Sequence, residues 1–432
     1  MRGEAPRTEA FNYWRKRILW GVTAAYAIYY FCRVNISIAM PFLEKALAAS
    51  KTQLGLVASS QQVAYGAGKF LNGVLGDYAN PRYFMAAGLL LSGLANLAFG
   101  GNSALGVLAM IWALNGWFQS MGFPAGARLL SHYYAPTEYG RSWSIFGCSH
   151  QVGAVIVLVA GGYLGMRGWR NIFWIPGLLA TGASIGVALV LRDVPHKNKD
   201  LGQEIPAPPR LSLRAGLRRI VTSRSIWAVA IGNLFLYIVR YGLLTWAASF
   251  LVSSRGLSPV AAGWMLGIFE SAGLFGGLSA GWISDLKSQG RRGPVMSAYM
   301  ASLAGAIAGL WFAPQGNPIW IGLAMAACGF CVYGPLMMVS VAAAGYAGPE
   351  LAASASGLTG LFGYVGATVA GGGVGAAAEH AGWPPVFALL AAAALASALC
   401  FGLTIRAPAP GAANAAVPDG RGPLHAAPPG GE

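Results

Sequence analysis

The chain has 432 residues, 56% of them hydrophobic and only 10% charged, against about 25% charged in an ordinary soluble domain. That balance excludes a soluble globular fold and leaves room for roughly a dozen bilayer-spanning helices of about 20 residues each. The net charge of +15 does not indicate a nucleic-acid partner, because the basic residues sort with the ends of apolar runs instead of forming one basic face.

Twelve spans are predicted in chain order, at 18–43, 54–76, 83–100, 104–127, 142–164, 171–191, 226–251, 260–283, 294–313, 317–345, 351–378 and 384–405. The first follows Trp14-Arg15-Lys16-Arg17 as a signal peptide would. It is longer than a signal core, and no small-residue cleavage site closes it, so it is expected to stay. An amino terminus in the cytoplasm puts 21 Lys and Arg inside and five outside (Lys45, Lys51, Arg167, Arg170 and Arg255). This positive-inside bias, with an even number of spans, predicts both termini on the cytoplasmic side of an inner (plasma) membrane. The five cysteines (Cys32, Cys148, Cys328, Cys331 and Cys400) all fall inside apolar stretches, which argues against a disulfide framework.

Residues 192–225 form the one long polar interruption, with eight bases, three acids and the Pro-rich Ile205-Pro206-Ala207-Pro208-Pro209. It divides the chain into a cytoplasmic segment 1–17, a six-helix half 18–191, a cytoplasmic loop 192–225, a second six-helix half 226–405 and a tail 406–432. The tail, rich in Ala, Pro and Gly, is expected to be disordered. The halves also look duplicated. Asp77, in Gly73-Val74-Leu75-Gly76-Asp77, and Asp285, in Gly281-Trp282-Ile283-Ser284-Asp285, lie 208 residues apart, and Arg33 and Arg240 lie 207 apart. Two features with nearly one offset predict an all-α membrane protein, a six-plus-six pseudo-symmetric transporter with its site between the halves.

A charge inside a bilayer is costly and marks a functional site by default. Arg33, Lys69 and Arg240 lie within spans, and Glu270 is the acid placed deepest, which leaves about +2 at mid-membrane. A dianion such as phosphate or a phosphate monoester would neutralise this excess, and the planar fork of arginine suits its oxygens. His150, in span 5, has an ordinary pKa near 6.5 and is a candidate for following substrate or proton charge. Tyr26, Tyr30, Tyr65, Tyr237, Tyr333 and Tyr364 are candidate hydroxyl donors; Tyr30 and Tyr237 each precede a mid-span arginine by three residues, on the same helix face. Asp77, with Arg82, and Asp285, with Arg291, sit at cytoplasmic helix ends and suit gating contacts.

Enzyme signals are weak. Gly182-Ala183-Ser184-Ile185-Gly186 and Gly277-Leu278-Ser279-Ala280-Gly281 match GxSxG, but neither lies on a strand-to-helix turn. Gly66-Ala67-Gly68-Lys69 lacks the spacing of a phosphate-binding loop. No enzyme activity, cofactor or metal is expected.

Over about residues 20–405 the chain resembles the major facilitator superfamily, and within it the organophosphate:phosphate antiporters. The resemblance rests on YYFCRVN (29–35), AYGAGKF (64–70), LNGWFQSMGFP (114–124), CSHQVG (148–153), YIVRYGLLTW (237–246), YGPLM (333–337) and GLTGLFGYVG (357–366). It implies exchange of an organophosphate for inorganic phosphate by alternating access. A monomer is expected to be the working unit. By resemblance Arg33 and Arg240 correspond to the family's phosphate-binding pair, Lys69 to its second-span lysine, His150 to its fifth-span histidine and Glu270 to its eighth-span acid. Two positions depart from the pattern: Val34 stands where many members have a lysine, and Thr245 where the glycerol-3-phosphate type has an acid. The start of the anion:cation symporters is similar to Arg33-Val34-Asn35-Ile36-Ser37, and a transporter-like sensor of external hexose phosphate would keep the same arginines, so both stand as alternatives.

Overall fold

The computed structural model of the chain describes residues 9–134, 139–193, 213–288, 291–348 and 351–405. Among them every regular element is a helix. The tail 406–432, the first eight residues and most of the 192–225 loop lie outside the described residues; the loop's described part includes the short helix α9 (Leu213–Thr222).

Among the described residues, nine helices are long and apolar enough to cross a membrane unaided. They are α4 (Pro81–Gly100), α7 (Tyr139–Met166), α8 (Asn171–Val190), α10 (Arg224–Arg255), α11 (Pro259–Lys287), α12 (Arg292–Trp311), α13 (Pro318–Ala347), α14 (Ala352–His380) and α15 (Trp383–Gly402). Three further spans complete the twelve. One is α3 (Lys51–Tyr78), whose Gln61, Gln62, Lys69 and Asn72 dilute its hydropathy. The other two are each built from two helices end to end, α1 (Glu9–Phe31) with α2 (Asn35–Leu47), and α5 (Leu105–Gln119) with α6 (Gly122–Tyr133). Each unbroken span ends within four residues of its expected boundary.

The helix starts are written in the sequence. Ser50 accepts from the Gln53 amide in a capping box with Gln53, and Asn80, Ser258 and Asn317 each cap a helix that opens on a proline. The two breaks are less obvious. Span 1 is expected as one helix; instead the chain unwinds at Cys32-Arg33-Val34. A break inside a membrane frees carbonyls that must find donors within the protein. Here buried amides supply them: Asn96 and Asn115 both donate to the Cys32 carbonyl, at 3.2 and 2.8 Å, and Gln119 donates to that of Tyr29 at 2.9 Å. Asn35, the first residue of α2, donates to Asn96 Oδ1 at 2.8 Å and closes the set.

Within the first six spans the main packings are α4 on α8, α3 on α5 and α1 on α7; within the last six they are α11 on α13, α10 on α14 and α12 on α15. The two sets meet through α3 with α14, α7 with α11 and α2 with α10. Bonds between them gather at the end of the bundle that carries the α2–α3 turn. There the Ser249 hydroxyl donates to Glu44, the Thr52 amide and hydroxyl donate to Glu379, Ser59 donates to the Thr368 carbonyl at 2.7 Å, and Trp264 donates to Tyr163 at 3.2 Å. Gly55 makes this approach possible, since a Cβ there would run into the Gly371 carbonyl.

Candidate functional site

The break in span 1 holds Arg33 where the two sets of helices face each other. Arg33 and Arg240 are 6% and 5% exposed, and both line one cavity between α1, α2, α3 and α10. Arg33 stands over the Tyr65 ring, its Cζ 3.8 Å from the ring centre, with the Tyr30 ring centre at 5.3 Å. Its Nη2 donates across the divide to the Tyr241 hydroxyl at 3.4 Å. Arg240 lies 4.9 Å from the centre of the same Tyr241 ring and donates from Nη2 to the Tyr333 hydroxyl at 2.9 Å. One tyrosine therefore separates the two guanidinium groups. Ring faces stabilise these cations where water is scarce, but they take up few N–H donors. Arg240 Nε is buried without a hydrogen-bond partner, an arrangement that an incoming oxyanion would relieve.

Glu270 is 1% exposed and accepts from the Tyr333 hydroxyl at 2.6 Å. It thus reaches Arg240 through a tyrosine instead of as a direct ion pair, and Gln151 lies beside it, donating to its carbonyl at 3.5 Å. His150 is packed between Tyr30 and Tyr333, ring centres 5.1 and 6.2 Å away, with Nδ1 against the Gly147 carbonyl. Tyr65 and Tyr364 pair across the divide at 4.9 Å, and Tyr237 joins Tyr364 at 5.7 Å and Tyr241 at 5.6 Å. Tyr26 stands one ring further out, against Phe123 and Phe146.

Lys69 is placed differently from the arginines. It is exposed, 5.6 Å from the Tyr364 ring centre, and does not line the cavity. The buried balance among the described residues is thus two arginines against Glu270, or +1, where the sequence suggested about +2. Of the gating candidates, Arg82 donates to the Ala188 carbonyl and covers Tyr83, while Asp285 is exposed at the end of α11. The side chain of Asp77 lies outside the described residues. Sequence reasoning passed over Tyr241, which follows Arg240 directly and has no helical spacing to mark it, and the amides that hold the break. No group of His, Cys, Asp and Glu able to hold a metal occurs among the described residues.

Residues 22–371 match the Major Facilitator Superfamily. The chain belongs to this superfamily. It is 39% identical over 410 residues to a probable hexose phosphate transport protein of Chlamydia pneumoniae, covering 89% of this chain and 90% of that one. It is 32% identical to the glycerol-3-phosphate transporter of Bacillus subtilis, over 91% and 93% of the two chains. It is also 33% identical to the membrane sensor protein UhpC of Salmonella typhimurium, over 93% of each. Among solved structures, a bacterial homologue of the human lysosomal transporter Spinster shares the fold, with a TM-score of 0.74 at 14% identity over 92% of this chain and 96% of that one. The resemblance to the organophosphate branch carried by the motifs therefore extends along the chain, a multi-pass membrane protein of a transporter family and not an enzyme.

Proposed function

We propose that the protein exchanges a phosphate monoester for inorganic phosphate across the inner membrane, with both termini in the cytoplasm. The observation that carries this reading is the pair Arg33 and Arg240. They come from opposite sets of six spans, are both buried, face one cavity, and are separated by Tyr241. A tetrahedral dianion offers enough oxygens to accept from both forks at once. Relatives named for hexose phosphate and glycerol 3-phosphate support the substrate class.

The mechanism follows from charge. With the site empty, the two cations repel and oppose closure of the halves; a bound phosphoryl group bridges them, so the loaded carrier reorients readily. Exchange is then obligatory. The positive-inside pattern assigns the end with the α2–α3 turn to the outside, so the arrangement described is closed outward. Alternating access requires the contacts of Ser59 and Thr52 with α14 to break when the site opens to that side. We read the monomer as the working unit, since each chain holds both arginines.

Uptake of labelled phosphate into proteoliposomes tests the proposal. Uptake that requires phosphate or a sugar phosphate inside supports exchange. Saturable binding without uptake would identify a sensor, the reading favoured by the similarity to UhpC. Uptake of non-phosphorylated anions driven by a cation gradient would overturn both.

A further inference from the structure

Beside the two arginines the cavity wall is uncharged, with polar side chains set among Val34, Ile36, Ala58 and Leu244. Gln61 and Gln62, adjacent on α3, are 2% and 8% exposed and both line it. Gln62 Nε2 donates to Gln61 Oε1 at 3.5 Å, which leaves Gln61 Nε2 and Gln62 Oε1 buried with no hydrogen-bond partner. Other buried polar atoms lack partners too, Asn35 Oδ1 and Asn115 Oδ1 among them, but these two stand side by side on the wall of the cavity that holds both arginines, where a ligand would complete them. One is a donor and the other an acceptor. A hydroxyl group, which donates and accepts at once, fits that pair. Ser37 and Thr245, 3% and 7% exposed, add hydroxyls to the same wall, and Val34 completes it without charge.

We propose that Gln61 and Gln62 form the subsite that reads the hydroxyl groups of the substrate's organic part. The proposal rests on the phosphate-exchange reading above. The arginines are committed to the phosphoryl group, and Lys69 lies off the cavity beside Tyr364. A substrate carboxylate on this wall would accept from Gln61 Nε2 but set its charge against the Gln62 carbonyl oxygen, and one amide donor would not replace the hydration it loses. Hydroxyls incur no such loss. A site that hydrogen-bonds hydroxyls also rejects analogues lacking them, because its own amides are then left unpaired.

The test is competition against labelled phosphate exchange by methyl phosphate, glycerol 3-phosphate, glucose 6-phosphate and 3-phosphoglycerate, with the reconstituted wild-type protein. Affinity is expected to rise with hydroxyl number along the first three, and 3-phosphoglycerate to bind about tenfold more weakly than glycerol 3-phosphate. Gln61→Leu and Gln62→Leu, measured separately, should each lower the ratio of glucose 6-phosphate to methyl phosphate affinity by about tenfold. Equal affinities along the series, tighter binding of 3-phosphoglycerate, or an unchanged ratio in both variants would overturn the subsite while leaving phosphate exchange standing. A protein that exchanges no phosphate and is indifferent to Arg33→Lys would overturn the exchange reading itself. The wild-type series decides the matter even if a variant fails to fold.

Discussion

Tyr333 donates its hydroxyl to Glu270 Oε2 at 2.6 Å, and so holds the carboxylate away from Arg240, which donates in turn to the same hydroxyl at 2.9 Å. A carboxylate paired directly with Arg240 would compete with phosphate for it. The tyrosine lets the acid balance part of the buried charge without occupying the fork. Tyr333→Phe should therefore weaken phosphate binding by about tenfold, the scale of one charge-assisted hydrogen bond. Adding Glu270→Gln to that background should recover most of the loss, as read by competition binding. A further fall in the double variant would show that the carboxylate does not compete.

His150 is packed between Tyr30 and Tyr333, the two tyrosines whose rings lie against Arg33 and Arg240. Replacement by Gln removes the ring on which both tyrosines pack and should weaken phosphate binding by about threefold, the scale of one aromatic contact, as read by competition binding. Unchanged affinity would show that the ring does not help to position the two tyrosines.

Closure on the side of the α2–α3 turn depends on backbone contact at Gly55 and on the Glu379 carboxylate at the first turn of α3. Gly55→Val puts a side chain where the Gly371 carbonyl lies. It should abolish exchange while phosphate binding persists. Glu379→Gln weakens the same contact, since a neutral amide caps the start of a helix less well than a carboxylate. It should speed labelling of Ala58→Cys, in a background without the native cysteines, by an impermeant reagent added outside. Normal exchange by Gly55→Val would mean that this side need not close.

The span pattern was legible because each unbroken helix is a single apolar run bounded by caps, prolines or charges. The positions of Arg33 and Arg240 were legible too, as charges in apolar runs at a repeated offset. The break at Cys32-Arg33-Val34 was not. Nothing local marks it, and its cause is distant: Asn96, Asn115 and Gln119 sit on α4 and α5, and each alone reads as an ordinary small polar residue in a span. Lys69 carried the same signal as the arginines, a cation in an apolar run, yet it is exposed beside Tyr364 while they are buried. Charge in a sequence gives depth in the membrane but not how closely the side chain is packed. Tyr241 shows the converse, a residue that joins both arginines across the divide although its spacing ties it to neither.

The central claim is that Arg33 and Arg240 grip one phosphoryl group together, and phosphate self-exchange in Arg33→Lys and Arg240→Lys tests it most directly. Lysine keeps the charge and loses the fork. Each variant is expected to lose about a hundredfold in exchange, the scale of two charge-assisted hydrogen bonds, with the double variant little worse than either single one because the two act as a unit. Either variant exchanging phosphate at the wild-type rate would contradict the paired grip.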